Sequence, residues 1–425
     1  MLMLRVACLA LLIVGCHGPG ARGPATPAAG SDASAGGDVV AVAGARIYPS
    51  PTASPIADGT VVVTNGVITA VGPREQTAVP AGATMLSGAG HTVMAGFWNT
   101  HVHFTESKWQ PADSKPAAEL AADLRAMLTR WGVVRVVDVG SPPLNTLALR
   151  RRIESGEVPG PAIMLASGSF VPVVGSPYYV LPLRLPELTD SAQAGTLVDR
   201  LLDLPGIDGV KLFTGSWATR DSIVVMPAEV VRAAVEAAHR RGRPVFAHPS
   251  NSAGARSAID GGVDVLAHTF PAGADWDRTL PGRMRAANMA LTPTLKLWAC
   301  ELGRLGVPAP GIARTQATAA EQVRAFRDLG GDVLFGTDVG YMTDYDPTEE
   351  YALLGQAGLS FPDVLAALTT APAKRLAREP GVGLVAVGSP GDLVVLDDDP
   401  ARDVRALARV RYTIRGGRII YESGK

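Results

Sequence analysis

The stretch Gly96 to Phe104, reading GFWNTHVHF, holds the residues whose spacing first suggests chemistry. Side chains of an extended strand alternate faces, so His101 and His103 point the same way while Val102 opposes them. Two neutral imidazoles on a strand end can chelate a zinc-like ion. They can equally pack or hydrogen-bond, and the rest of the chain has to decide. Of the seven histidines, two more close apolar runs, His248 in PVFAHPS and His268 in VDVLAHT, and Asp338 closes VLFGTD in the same manner. The remaining three have ordinary roles: His17 lies in a low-complexity segment, His91 in the approach to the HVH strand, and His239 at a helix end whose dipole suits a cation.

Lys211 is the most informative single residue. It sits inside the apolar run GVKLF, where an ammonium must lose its water, and the chain has only six lysines among its 39 basic residues. A neutral amine can take up carbon dioxide as a carbamate, a two-oxygen anion that guanidinium cannot supply. The alternative is an ammonium that reaches an acidic loop.

The elements that must position these groups alternate. Short apolar strands (VVRVVDVG, PAIMLAS, DGVKLF, PVFAHPS, VDVLAHT, MALTPTL, VLFGTDVG) are separated by helical patterns such as MPAEVVRAAVEAAHRRG. With the HVH strand they make eight β-then-α units, which predicts an α/β chain with a (β/α)8 barrel over residues 94–377. His101 and His103 then end strand one, Lys211 strand four, His248 strand five, His268 strand six and Asp338 strand eight. All fall on the C-terminal face, where a barrel keeps its active site. Pro227 at a helix start, Gly242 after a helix end, and Ser360 with Asp363 as a capping box agree with the helices. Asn65-Gly66 and Gly416-Gly417 lie between β-branched runs and predict hairpins, so residues 38–93 and 378–425 are expected to form one small β-sandwich from both chain ends.

Arg5, the apolar run Val6 to Val14 and Gly15-Cys16 read as an export signal over residues 1–16 that resembles a bacterial lipobox, with Cys16 lipidated. Residues 17–37 are built from Gly, Ala, Pro and Ser and read as a disordered tether. A bacterial lipoprotein facing the periplasm or cell exterior follows, touching the membrane through its lipid alone, since no later apolar run reaches spanning length. A net charge of −1 argues against a nucleic-acid partner. Cys300 is left without a disulfide partner and reads as a small buried hydrophobe.

The order HVH, Lys, His, His, Asp on strands one, four, five, six and eight resembles the amidohydrolase superfamily. So do the approach GHTVMAGFWNTHVH and the closing SPGDLVVLDDDP. DGVKLF, VFAHPS, VLAHT and LFGTDVG look like its imidazolonepropionase-like branch, which includes metal-dependent prolidases. Ala95 and Asn99 depart from that pattern, standing where Pro and Asp are usual. The resemblance implies two divalent metal ions, most often zinc: one on His101, His103 and Asp338, a second on His248 and His268, with carboxylated Lys211 bridging. It also implies hydrolysis of an amide by water activated between the metals, with Asp338 as the catalytic proton shuttle.

Substrate choice falls to the strand-to-helix loops. Tyr178, Tyr179 and Arg184 after strand three, Trp217 and Arg220 after strand four, and Tyr341, Asp344 and Tyr345 after strand eight are the candidates. A phenol or guanidinium among them could bind the carboxylate of a peptidyl or N-acyl amino acid, a dipeptide or another small molecule. Alternatives are a lactonase or phosphotriesterase-like enzyme, a cyclic-amide hydrolase, and a metal-binding lipoprotein without catalysis.

Overall fold

The computed structural model describes residues 38–271 and 276–424. The signal, the lipidation site Cys16 and the tether lie outside the described residues. Seven parallel strands run side by side in chain order: β1 Phe97–Val102, β2 Val133–Val139, β3 Ala162–Pro172, β4 Gly209–Phe213, β5 Val245–His248, β6 Val265–Ala267 and β7 Ala290–Thr292. The segment 333–339 closes the ring. Leu334 N donates to Leu291 O of β7 at 2.8 Å, and Thr100 N of β1 donates to Phe335 O at 2.8 Å. Further along, Asp338 N donates to His101 O and His103 N to Val339 O, so the eighth strand is stitched to the first up to the catalytic face.

The helices follow from pattern and capping. Ala228–Arg240 turns Val230, Val231, Ala234, Val235 and Ala238 inward at helical spacing, with Pro227 as its N-cap and Gly242 beyond its end at φ +62°. Asp190 and Asn251 cap the helices after β3 and β5 by accepting backbone N–H groups, and Ser360 with Asp363 forms a full capping box. Beneath the site, Trp98, Ala166, Phe246, Val265, Ala290 and Leu334 pack together across the barrel.

Strands from both chain ends meet in a separate sheet. Val39–Ile47, Ile56–Thr64, Val67–Pro73, Thr84–Ser87 and Thr92–Ala95 join Leu393–Leu396, Val410–Arg415 and Arg418–Glu422 through the Leu393–Ala95 register. Asn65-Gly66 and Gly416-Gly417 form the expected turns, both residues of each pair at positive φ, as the hairpin twist requires. No helix among the described residues is long and apolar enough to cross a membrane. Cys300 is only partly buried, less enclosed than its apolar neighbours in sequence suggest, because it lies on the helix Lys296–Arg304, which borders the barrel mouth.

Candidate metal centre

The strand ends bring the predicted residues together. His103 Nε2 lies 2.9 Å and His101 Nε2 3.4 Å from Asp338 Oδ1, and His268 Nδ1 is 4.0 Å from Asp338 Oδ2. The His101 and His268 rings are 4.4 Å apart between centroids, and those of His248 and His268 4.7 Å. Lys211 is 2% exposed on β4, one strand from His248, with its Nζ 5.6 Å from the Phe213 ring centroid. Among the described residues no acidic loop forms an ion pair with it.

Burial sets the protonation states. Desolvation, then the neighbouring Lys211, push His101 and His248 down to about 3, and desolvation with His101 drives His268 well below its ordinary value. All three imidazoles are therefore neutral. Burial opposes charge on Asp338 too, but His101 and His103 around it hold its carboxyl well below the usual range. Desolvation brings Lys211 down to about 8, against a weaker pull upward from Asp338.

Each neutral ring keeps one lone pair beside its single N–H. Both nitrogens of His101 and Oδ1 of Asp338 are buried without a hydrogen-bond partner. Two donors bound to one ion at about 2.1 Å stand roughly 3 Å apart, the spacing seen at Asp338 Oδ1. His101, His268 and Asp338 offer ligand atoms within 4.8 Å of one another. The residues fit a divalent cation.

Several supporting groups were not legible in the sequence. Thr294 Oγ1 lies 2.7 Å from His268 Nδ1, which leaves Nε2 as the free lone pair when Nδ1 carries the proton. Ser250 Oγ donates to Gly215 O at 2.9 Å and lies 3.1 Å from His248 Nε2, so it can accept that ring's proton and leave Nδ1 free. Asn99 Oδ1 accepts from the backbone N–H of His101 and of Thr337, each at 3.2 Å, and its amide donates to Thr337 Oγ1, lacing β1 to strand eight. Asp138, at the end of β2, is buried and accepts from Ser141 and Thr146, burial pushing its pKa up. Of eight non-glycine residues at positive φ among those described, Ser250, His268, Thr294 and Asp338 belong to this centre. Gly340 at φ +95° completes the turn, and a Cβ there would meet His103 O at 1.8 Å.

The loop candidates divide. Tyr178, Tyr179 and Tyr341 form a chain of rings with centroid spacings of 5.5 and 5.6 Å, and Tyr341 follows Asp338 by one turn. Burial raises the pKa of Tyr179 well above normal, helped by Tyr341 and Asp338, so it stays a neutral phenol. Tyr341 hydrogen-bonds Glu301, and Arg304, paired with Glu301 at 2.9 Å, lies over its ring at 5.3 Å. Glu301 and Arg304 carried no sequence signal, being ordinary helix-surface residues in their spacing. Trp217 is on the hairpin Gly215–Trp217 with Ile223–Val225, and Arg184 and Arg220 are exposed. None of these three joins the tyrosines by a ring contact among the described residues. Asp344 binds Lys296 at 2.7 Å, and Tyr345 joins Glu106 at 2.6 Å and Lys108. These two therefore fasten the loop. Away from the centre, His91 faces Asp397 at 3.6 Å and His239 faces Asp264 at 2.8 Å.

The amidohydrolase family pattern matches residues 92–420. No curated protein matches the sequence. Among solved structures, a prolidase candidate from Bifidobacterium longum is 26% identical, with 91% of this chain and 95% of that one covered at a TM-score of 0.77. An Xaa-Pro dipeptidase with methionine in its active site is 20% identical, covering 91% and 100% at 0.77. The ochratoxinase of A. niger is 19% identical, covering 92% and 97% at 0.73. The last two bear on the fold alone.

The buried amine gives a stability test on metal-free protein. Unfolded lysine titrates near 10.5 and Lys211 near 8, so between these values the unfolded chain holds the extra proton and stability rises with pH. At pH 7 the cost of the ammonium is fully present, and Lys211→Met is expected to stabilise by about 2–3 kcal/mol in denaturant titrations. The gain should shrink toward pH 10.5; equal stability of the two proteins at both pH values would contradict it.

Proposed function

The chain belongs to the amidohydrolase family, hydrolases of carbon–nitrogen bonds, and we propose that it cleaves the amide of a peptidyl or N-acyl amino acid. The observation that carries this reading is the Asp338 carboxylate with His101, His103 and His268 around it, both His101 nitrogens and Asp338 Oδ1 being buried without a hydrogen-bond partner. His101, His103 and Asp338 would hold one divalent ion, with zinc the first choice for nitrogen and oxygen donors, and His248 and His268 a second, with Lys211 between them as its carbamate. Bound there, the ions supply Lewis acidity toward the scissile carbonyl and the attacking water.

The chain's own groups do the rest. Asp338, ionised at neutral pH, accepts the proton of the attacking water and passes it to the departing nitrogen, so no amide anion has to leave. Lys211, brought down to about 8, has an appreciable neutral fraction near neutral pH. That amine attacks carbon dioxide; the new C–N bond forms the carbamate and a proton leaves to solvent. Tyr179, kept protonated by burial, can donate to a substrate carboxylate, whereas the Tyr341 hydroxyl is committed to Glu301 and serves as a wall. The likeness to the Bifidobacterium longum prolidase candidate supports an amino-acid leaving group. Export and lipidation at Cys16 are part of the proposal, on the strength of Arg5, the apolar run and the lipobox-like end.

Three measurements follow. Asp338→Asn is expected to retain its metal, by elemental analysis, while kcat on a panel of dipeptides and N-acyl amino acids falls by about 10³ or more. Unchanged turnover would remove Asp338 from the chemistry. Lys211→Ala should lose activity by a similar factor and recover part of it with added short carboxylic acids; full activity without them would end the carbamate assignment. Alkyne-palmitate labelling in a bacterial host should mark the intact chain and not Cys16→Ser, and equal labelling of both would refute lipidation at this cysteine.

A further inference from the structure

The loop after β3 carries an exposed apolar lip. Val173 is 44%, Val174 69%, Leu181 43% and Leu183 61% exposed, four of the twelve large hydrophobics exposed among the described residues, within eleven positions. Their exposure is held in place. The loop base is closed by Val171 N to Pro186 O at 3.0 Å, Gly175 O accepts from Ser216 Oγ at 2.6 Å, and Leu185 N donates to Ser176 Oγ at 3.0 Å. The inner side of the loop, Gly175 to Pro177, is buried, while Val174 is turned outward at φ +53°, a conformation β-branched residues rarely adopt.

The lip flanks in sequence the tyrosines that reach the candidate centre. Tyr178 and Tyr179 lie between its two halves in the chain, and the ring sequence Tyr178, Tyr179, Tyr341 leads to the turn that begins at Asp338. Aromatic rings therefore lead from the turn at Asp338 to the loop segment that carries the four aliphatic side chains. Contiguous apolar surface beside a site marks a place where an apolar ligand part leaves water.

We propose that this lip binds the hydrocarbon tail of the substrate's acyl group, which makes medium- and long-chain N-acyl amino acids the substrate class. The inference rests on the amide-hydrolase reading above and names its specificity. The amide carbonyl lies at the Asp338 cluster, the first methylenes run along Tyr179, and the remainder of the chain covers Val173, Val174, Leu181 and Leu183.

The test is calorimetric binding of N-acetyl to N-decanoyl amino acids to metal-loaded Asp338→Asn protein. Affinity is expected to rise roughly two- to fourfold per methylene once the chain passes Tyr179. Val174→Ser combined with Leu183→Ser should flatten that slope; both side chains are exposed, so the fold should persist, as a thermal melt would show. Equal affinity across the series, or a slope that survives in the double variant, overturns the proposal. So does self-association through this loop that the double variant abolishes when no chain-length slope exists. Turnover of the same series by the unaltered enzyme reads the amide-hydrolase assignment separately: a binding slope without turnover would sink that assignment and leave the lip standing.

Discussion

Burial of the Asp338 carboxylate among the rings of His101, His103 and His268 is the constraint on which the candidate centre depends. Asp338 is 4% exposed, and a carboxylate so enclosed would ordinarily take up a proton. His101, His103 and His268 beside it hold its pKa down against that desolvation, while burial in turn lowers the pKa of His101, His248 and His268. The cluster is thus an electrostatic mould for positive charge. Lys211, buried beside it, has its ammonium disfavoured by desolvation and favoured by Asp338.

Holding such a mould requires backbone that resists relaxation. His268 at φ +73° and Asp338 at φ +62° adopt left-handed conformations that cost on the order of 1–3 kcal/mol each. The ladder absorbs this. His268 N is bonded to Thr292 O at 2.7 Å and Asp338 N to His101 O at 2.9 Å, so the strained residues are fixed to the strands beside them rather than to mobile loops. Asn99 does the same from the side, and its neutral amide serves both strands by accepting two N–H groups and donating one. A carboxylate at that position would keep the two acceptor contacts and lose the donor. The exchange of Asp for Asn therefore falls where the backbone, and not the metal ligands, feels it.

Legibility in the sequence followed physical scale. Strand one, with its HVH spacing, and Lys211 inside GVKLF could be read because an extended chain alternates and an apolar run excludes charge; both rules act over a few residues. Eight alternating units gave the barrel for the same reason, and the two hairpins were readable from residues that tolerate positive φ. What escaped reading is what depends on closure. Thr294 and Ser250 orient histidines 26 and two residues away in sequence, and Glu301 with Arg304 meets Tyr341 only once strands seven and eight are adjacent. Trp217 and Arg220 shared the chemistry of the tyrosines without sharing their place, since the hairpin after β4 carries them separately.

The same closure divides labour among the loops. The segment after Asp338 is fastened on both flanks: Lys296 grips the Asp344 carboxylate and the Asp346 carbonyl from the seventh unit, while Glu106 and Lys108 hold Tyr345 from the first. The proton transfer proposed for Asp338 would need that rigidity. The loop after β3 makes fewer such ties, two side-chain bonds and its closed base, and it spends its outer residues on exposed aliphatic surface. The Asp338 end of the candidate metal centre is thus built between strands eight, one and seven, and the surface proposed to discriminate among substrates belongs to the loop after strand three. On the proposed reading, change in the third loop would alter what is bound without disturbing the Asp338 carboxylate.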